Sequence, residues 1–122
     1  MHWVNWLLGF LAGFVLASWL TLSCSGALAQ SPEVSAAIRS ASLRWGVSES
    51  WLLRLSWCES RHQPWARGRA GEMGLFQFLP RTWRWMSAQA GWAGASPYDP
   101  VAAAEVTAFA LAHGYAAHWT CR

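Results

Sequence analysis

Helix start and stop signals divide the chain from residue 31 onward, and this pattern constrains the fold more than any other feature. Two starts combine a capping side chain with proline at the first helical position, and two carry only one of these signals. The four predicted starts are Ser31-Pro32, Ser48, Pro80 and Asp99-Pro100. Gly46, Gly91 and Gly114 supply stops. The sequence therefore predicts a mainly α protein of about four helices.

Apolar residues recur at helical spacing in these segments. In the second predicted helix, Leu52, Leu55 and Glu59 are spaced to lie on one face. Between the second and third helices, residues 68–74 contain three glycines, which predicts turns or a small hairpin. The "LFQF" that follows predicts a short strand.

The first 29 residues differ from the rest of the chain. Residues 3–22 contain no charged side chain, and Ala27-Leu28-Ala29 fits the small-x-small rule for signal cleavage. The apolar run, of about 20 residues, is also long enough to span a bilayer. A lipoprotein signal ending at Cys24 is a third alternative. We expect residues 1–29 to be a signal peptide or a membrane anchor, and residues 30–122 to form a domain that is secreted, periplasmic or tethered through that anchor.

Composition and charge exclude several classes of protein. The chain is 54% hydrophobic with 11 tryptophans and only 12% charged residues, which is too hydrophobic for a disordered chain. Its basic residues are all arginines, scattered without a basic run, so nucleic-acid binding has little support. The net charge of +3 suits an anionic partner such as a bacterial wall. We expect a single domain that is a monomer.

Two cysteines lie outside the N-terminal segment, Cys58 and Cys121. In an exported chain this even pair predicts a disulfide. Two free buried thiols or a pair of metal ligands are the alternatives. No Cys-x-x-Cys or paired histidine spacing surrounds either position, so the sequence favours the disulfide and predicts neither a metal site nor a cofactor.

Glu59 ends an apolar run in "LRLSWCESRHQPW", at the predicted end of a helix. Apolar neighbours and the carboxyl end of a helix both disfavour an ionised carboxylate. A glutamic acid that stays protonated near neutral pH can donate a proton to a leaving oxygen. The alternative is a solvated acid paired with Arg61 or Arg54. Position alone slightly favours the solvated, paired acid.

Several blocks follow Glu59 in a fixed order. They are Glu59-Ser60, "GLFQFLPRTW" at residues 74–83, "SPYDPVAAAEVTAFAL" and "GYAAHWTC". In this order they resemble the lysozyme-like lytic transglycosylases of the SLT type, in the small single-domain form. The resemblance covers about residues 33–122, and its most specific parts are the Glu-Ser pair and the Gly-Leu-x-Gln-x-x-Pro block. It implies a mainly α (α+β) lysozyme-like fold, with a small glycine-rich hairpin beside a substrate cleft.

The resemblance also implies an activity, the cleavage of peptidoglycan glycan strands between N-acetylmuramic acid and N-acetylglucosamine. The glutamate of the family's Glu-Ser pair, here Glu59, would be the sole catalytic acid. It would protonate the linking oxygen and then take a proton from the C6 hydroxyl of muramic acid. That hydroxyl closes onto C1 and forms a 1,6-anhydro end without water. The substrate's N-acetyl group can stabilise the positive charge, so no second carboxylate is needed.

Five further residues are candidates for binding substrate. The glutamine of the family's second motif falls on Gln77, which would line the cleft. Ser60 would orient the acid or line the cleft. The family's later motif usually has tyrosine in an Ala-Tyr-Asn run; here Tyr115 takes that place and the asparagine is absent. Trp92 and Tyr98 lie in a predicted loop, where an aromatic ring is available to stack on a sugar.

Three alternative functions compete with this one. A hydrolytic muramidase would need a second carboxylate, for which Glu72 in the glycine-rich turn is the best placed. The sequence favours a solvated turn acid at this position over that role. Asp99 is better explained as a helix cap, and Glu105 as one half of a buried pair with an arginine. A wall-binding module without catalysis has no need of a buried acid. A membrane-anchored structural protein would leave the ordered motifs unexplained.

Overall fold

Four α-helices make up most of the structure, a computed structural model that describes residues 30–121. The helices are α1 (Pro32–Trp45), α2 (Glu49–Ser60), α3 (Pro80–Gln89) and α4 (Pro100–Ala112), followed by a 3₁₀ turn at Ala116–His118. The predicted mainly α class with four helices is confirmed, and the arrangement is consistent with a lysozyme-like fold. The predictions made for residues 1–29 lie outside the described part of the chain. Within that part, no helix is long and apolar enough to cross a membrane.

The predicted caps explain where three of the helices begin. Ser31, Ser48 and Asp99 each accept a hydrogen bond from a backbone N–H two or three residues ahead, at 3.1 to 3.3 Å. The fourth helix, α3, begins at Pro80 without such a bond, because its capping position is Leu79. Proline alone therefore marks that start, since its φ is already helical and its missing N–H would have had no partner.

The core lies between α1 and α4, with α2 and α3 packed around them. Alanines and Val106 fill most of the buried positions of α4 and let α1 approach closely. One buried acid crosses this interface. Glu105 is 4% exposed, accepts a hydrogen bond of 2.7 Å from Trp45 Nε1, and lies 3.7 Å from Arg44 Nε. The predicted pair with an arginine is present and is buried on the Glu105 side only, since Arg44 is exposed.

The glycine-rich region folds as turns between two isolated bridges, from Arg67 to Met73 and from Met73 to Phe78. The strand predicted for "LFQF" is wrong. Met73 and Phe78 exchange two backbone hydrogen bonds of 2.9 and 3.0 Å, which close residues 74–77 into a tight turn. Gln77 has a φ of +53° within it, and this left-handed backbone is incompatible with a strand. The pattern was misleading because Leu75 and Phe76 are buried in a turn.

Gly74 is the residue that this turn requires. Its φ is +78°, where side chains are disfavoured, and a Cβ there would overlap the carbonyl oxygen of Pro97. The turn is therefore pressed against the loop that precedes α4. This contact fixes the position of Gln77, three residues further on.

Candidate active site

A cavity of about 240 Å³ opens where the end of α2, the glycine-rich turns, the start of α3 and the C-terminal tail meet. Its lining consists of Glu59, Glu72, Gln77, Phe78, Leu79, Thr82, His118, Trp119 and Thr120. The structure thus brings together three of the residues singled out in the sequence: Glu59, Gln77 and Glu72.

Glu59 stands in the last turn of α2 and is half-buried. Among residues 30–121, no basic side chain forms an ion pair with it. Arg61 is turned away: its Nη1 donates to the carbonyl oxygen of Trp57 at 2.9 Å, and its guanidinium lies 4.9 Å from the centre of the Trp57 ring. Arg54 is exposed and does not reach Glu59 either. The interpretation of Glu59 as a solvated, arginine-paired acid therefore has no support in the structure.

The surroundings of Glu59 favour its protonated form. Burial raises the pKa of this carboxyl above its ordinary value of 4.5, and the negative charge of Glu72 raises the pKa further. The apolar neighbours were visible in the sequence. The effect of Glu72 was not visible in the sequence, because 13 residues separate the two acids and only the turn geometry brings them into one cavity. A carboxyl in this state is suited to donate a proton.

Gln77 is held in one orientation. Its Nε2 donates hydrogen bonds to the carbonyl oxygens of Gly74 at 2.9 Å and Ala66 at 3.2 Å. Both amide hydrogens are thereby used, and Oε1 remains as an acceptor for a donor in the cavity. A Cβ on Gly68 would lie 2.9 Å from this Oε1 and would overlap the carboxylate of Glu72. The absence of a side chain at Gly68 therefore leaves room for both polar groups.

Ser60 connects the end of α2 to the turn that carries Gln77. It is 7% exposed, and its Oγ lies 2.8 Å from the carbonyl oxygen of Leu75 and 3.1 Å from that of Ser56. The same Oγ accepts a hydrogen bond from the backbone N–H of Gln63 at 3.1 Å. Ser60 is not among the residues that line the cavity, and its predicted role in orienting the acid stays a prediction.

The C-terminal tail forms one wall of the cavity through residues 118–120. Cys58 and Cys121 are joined in the predicted disulfide, with Cα atoms 6.0 Å apart. Trp119 is buried and donates from Nε1 to the carbonyl oxygen of Phe76 at 2.9 Å. These ties hold residues 118–120 against the cavity. Since Cys58 precedes Glu59, the cysteine pair was the one sequence feature from which this wall could have been inferred.

The three aromatic residues predicted to contact sugar lie outside the lining of this cavity. Trp92 is partly buried against the core. Tyr98 lies under the guanidinium of Arg67, at 5.3 Å. Tyr115 packs edge-on against Trp85, with ring centroids 5.4 Å apart. A sugar contact by any of the three stays a prediction, and a chain of several linked sugars would have to extend beyond the cavity to reach them.

A small helical domain with an unpaired, half-buried acid in a cleft is typical of lysozyme-like, glycan-cleaving proteins. Residues 36–118 match the family model described as "Transglycosylase SLT domain", so the chain belongs to this family. Neither the curated proteins nor the solved structures gave a match. The family indicates peptidoglycan cleavage of the lytic transglycosylase type, which takes place in the extracytoplasmic space. The resemblance inferred from the motifs is thereby confirmed.

Proposed function

We propose that the protein is an exported lytic transglycosylase in which Glu59 is the catalytic acid and base. The observation that carries this proposal is the state of Glu59. It is half-buried, it has no ion pair among residues 30–121, and it shares a cavity with Gln77. Burial and Glu72 both keep its pKa above the ordinary value, so the proton needed for the first step is retained to a higher pH.

The reaction then proceeds in two proton transfers through one carboxyl group. Glu59 protonates the oxygen that links muramic acid C1 to N-acetylglucosamine, and the C1–O bond breaks. The N-acetyl oxygen of the muramic acid stabilises the positive charge at C1. The carboxylate of Glu59 next takes the proton of the C6 hydroxyl, while the oxygen of that hydroxyl bonds to C1. The carboxyl is regenerated, no water is consumed, and the product ends in a 1,6-anhydro ring.

Gln77 and Ser60 support this chemistry in different ways. The fixed amide of Gln77 offers Oε1 to a hydroxyl or N–H of the sugar, because its Nε2 is already bound to two carbonyl groups. The buried Ser60 holds the end of α2 against the turn that carries Gln77. We therefore assign Gln77 to substrate binding and Ser60 to positioning.

One observation favours a second candidate, a hydrolytic muramidase. Glu72 lies in the same cavity as Glu59 and acts on its pKa. An ionised Glu72 placed across the sugar from Glu59 would activate water, as the second acid does in two-carboxylate glycosidases. The product would then carry an ordinary reducing end.

Mass spectrometry of the products separates these reactions. Purified peptidoglycan is digested with the full chain in oxygen-18 water, and the released fragments are weighed. Transglycosylation predicts fragments lighter than the hydrolytic ones by one water and free of the heavy label. Labelled reducing ends would establish the muramidase, with Glu72 as the candidate base. Release of no fragment by the folded, oxidised protein would instead favour a wall-binding module.

A further inference from the structure

A second cavity, of about 330 Å³, adjoins the Glu59 cavity at Glu72, which lines both. Its other walls include Arg67, Arg69 and Tyr98. Gly68 lies at the junction, since a side chain there would meet both Glu72 and Gln77. A substrate seated over Glu59 can therefore extend a branch into the second cavity without leaving the protein surface.

The second cavity carries an excess of positive charge. Two arginines, Arg67 and Arg69, line it, against the one carboxylate of Glu72. Neither arginine lies within 4.0 Å of a carboxylate among residues 30–121, where the ion pairs are those of Arg39 and Arg44. The Glu72 carboxylate instead accepts a hydrogen bond from the backbone N–H of Ala70 at 3.0 Å. Both guanidinium groups are thus available to an anion.

The loop that carries these arginines is fixed by its own backbone. The N–H of Gly68 donates to the carbonyl oxygen of Glu72 at 2.9 Å, and the N–H of Gly71 donates to that of Gly68 at 3.2 Å. The guanidinium of Arg67 lies 5.3 Å from the centre of the Tyr98 ring, a cation–π contact that leaves its N–H edge free. A planar guanidinium held in this way is suited to bind a carboxylate through two hydrogen bonds.

We propose that Arg67 and Arg69 bind a carboxylate of the peptide that muramic acid carries, so that the domain prefers glycan strands with intact peptide stems over bare strands. This inference rests on the proposed function, because it takes the muramic acid to be seated at Glu59. The stem peptide branches from the sugar ring and carries free carboxylates. It is therefore the part of the substrate whose charge matches the second cavity.

The arginines have one other role open to them, which is to offset the charge of Glu72. That role predicts a different outcome when they are replaced. Loss of a positive charge near Glu72 would strengthen its effect on Glu59 and move the pH dependence of cleavage for every substrate alike. Loss of a peptide contact would lower activity only on strands that carry peptides.

The test compares two substrates, glycan strands with their stem peptides and the same strands stripped of peptides by an amidase. The full chain and the double variant Arg67→Gln, Arg69→Gln are assayed on both, with Arg54→Gln as the matched control. Arg54 is exposed on α2 and lines neither cavity. We expect the double variant to lose kcat/KM roughly tenfold on peptide-bearing strands and little on stripped strands, in line with lost charge-assisted hydrogen bonds. Arg67→Lys keeps the positive charge but lacks the planar guanidinium that binds a carboxylate through two hydrogen bonds. Its kcat/KM on peptide-bearing strands should fall between those of the parent and the double variant.

A binding measurement keeps this test independent of catalysis. In a Glu59→Gln background, calorimetry with a soluble peptide-bearing glycan fragment should give a Kd about tenfold weaker once both arginines are replaced. Unchanged binding, or equal losses on peptide-bearing and stripped strands, would overturn the proposal. A shift of the pH profile on both substrates would assign the arginines to Glu72 instead. If the parent cleaves nothing yet binds the peptide-bearing fragment more tightly, the proposed catalysis fails while the peptide site stands.

Discussion

Removal of the disulfide should lower the free energy of unfolding by several kcal/mol, or roughly 4 kcal/mol in the chain-entropy model. The bond between Cys58 and Cys121 closes a loop with a sequence separation of 63 residues. In the chain-entropy model, a loop of this size stabilises the folded state by roughly 4 kcal/mol. For a domain of this size each 1 kcal/mol moves Tm by about 4–8 °C, so the double variant Cys58→Ser, Cys121→Ser should melt roughly 16–32 °C lower.

Calorimetry or circular dichroism measures this shift, and the double variant avoids an unpaired thiol. Cys24→Ser serves as the control, because Cys24 has no part in the predicted pair. Below its own Tm, the double variant should also lose part of its kcat/KM, since the wall formed by residues 118–120 is then held mainly by the Trp119 hydrogen bond. A Tm within a few degrees of the parent would refute the reasoning. It would mean that packing of Trp119, and not the covalent tie, fixes the tail.

Three further substitutions test the site and its supports. Glu72→Gln removes a charge that raises the pKa of Glu59, so the basic limb of the pH–rate profile should move to lower pH with activity retained. An unmoved limb would refute the effect of Glu72 on Glu59, and complete loss of cleavage would count against a sole-acid mechanism. Glu59→Gln should raise Tm at pH 7. The reason is that ionised Glu59 destabilises the fold as pH rises from 4.5 through the raised pKa, so the gain in Tm should vanish below pH 4.5. A gain in Tm that does not depend on pH would exclude this cause. Gly74→Ala should lower the free energy of unfolding in urea by at least about 2 kcal/mol, since a Cβ there would overlap Pro97. In the control Gly71→Ala, the Cβ meets nothing within 4 Å and adds only backbone strain. Equal losses of stability in the two variants would refute the close-contact argument.

The helices were predictable because their signals are local. A serine or aspartate cap, a proline at the first turn and a glycine stop act within a few residues of each other, and all three predicted caps form. The turn at residues 74–77 was not predictable in the same way. Its apolar residues suggested a strand, but the close approach to Pro97 that shapes the turn comes from a distant part of the chain.

The candidate site was predictable only where motifs mark it. Glu59 and Gln77 were found from ordered blocks, and the structure places both in one cavity. The contribution of Glu72 to the pKa of Glu59 depends on a distance through space that no spacing along the chain encodes. The arginine-lined cavity beside the Glu59 cavity was not predictable either, because it depends on contact between Arg67 and Tyr98, which are 31 residues apart in the chain.

The central claim is that Glu59 performs the cleavage, and the rate of peptidoglycan solubilisation by Glu59→Gln tests it most directly. Glutamine preserves the size of the side chain but can neither donate nor accept the proton. We predict a folded variant, with a Tm at pH 7 no lower than that of the parent, whose rate falls at least roughly a hundredfold. A folded Glu59→Gln variant that still releases glycan fragments at a rate close to that of the parent would contradict it.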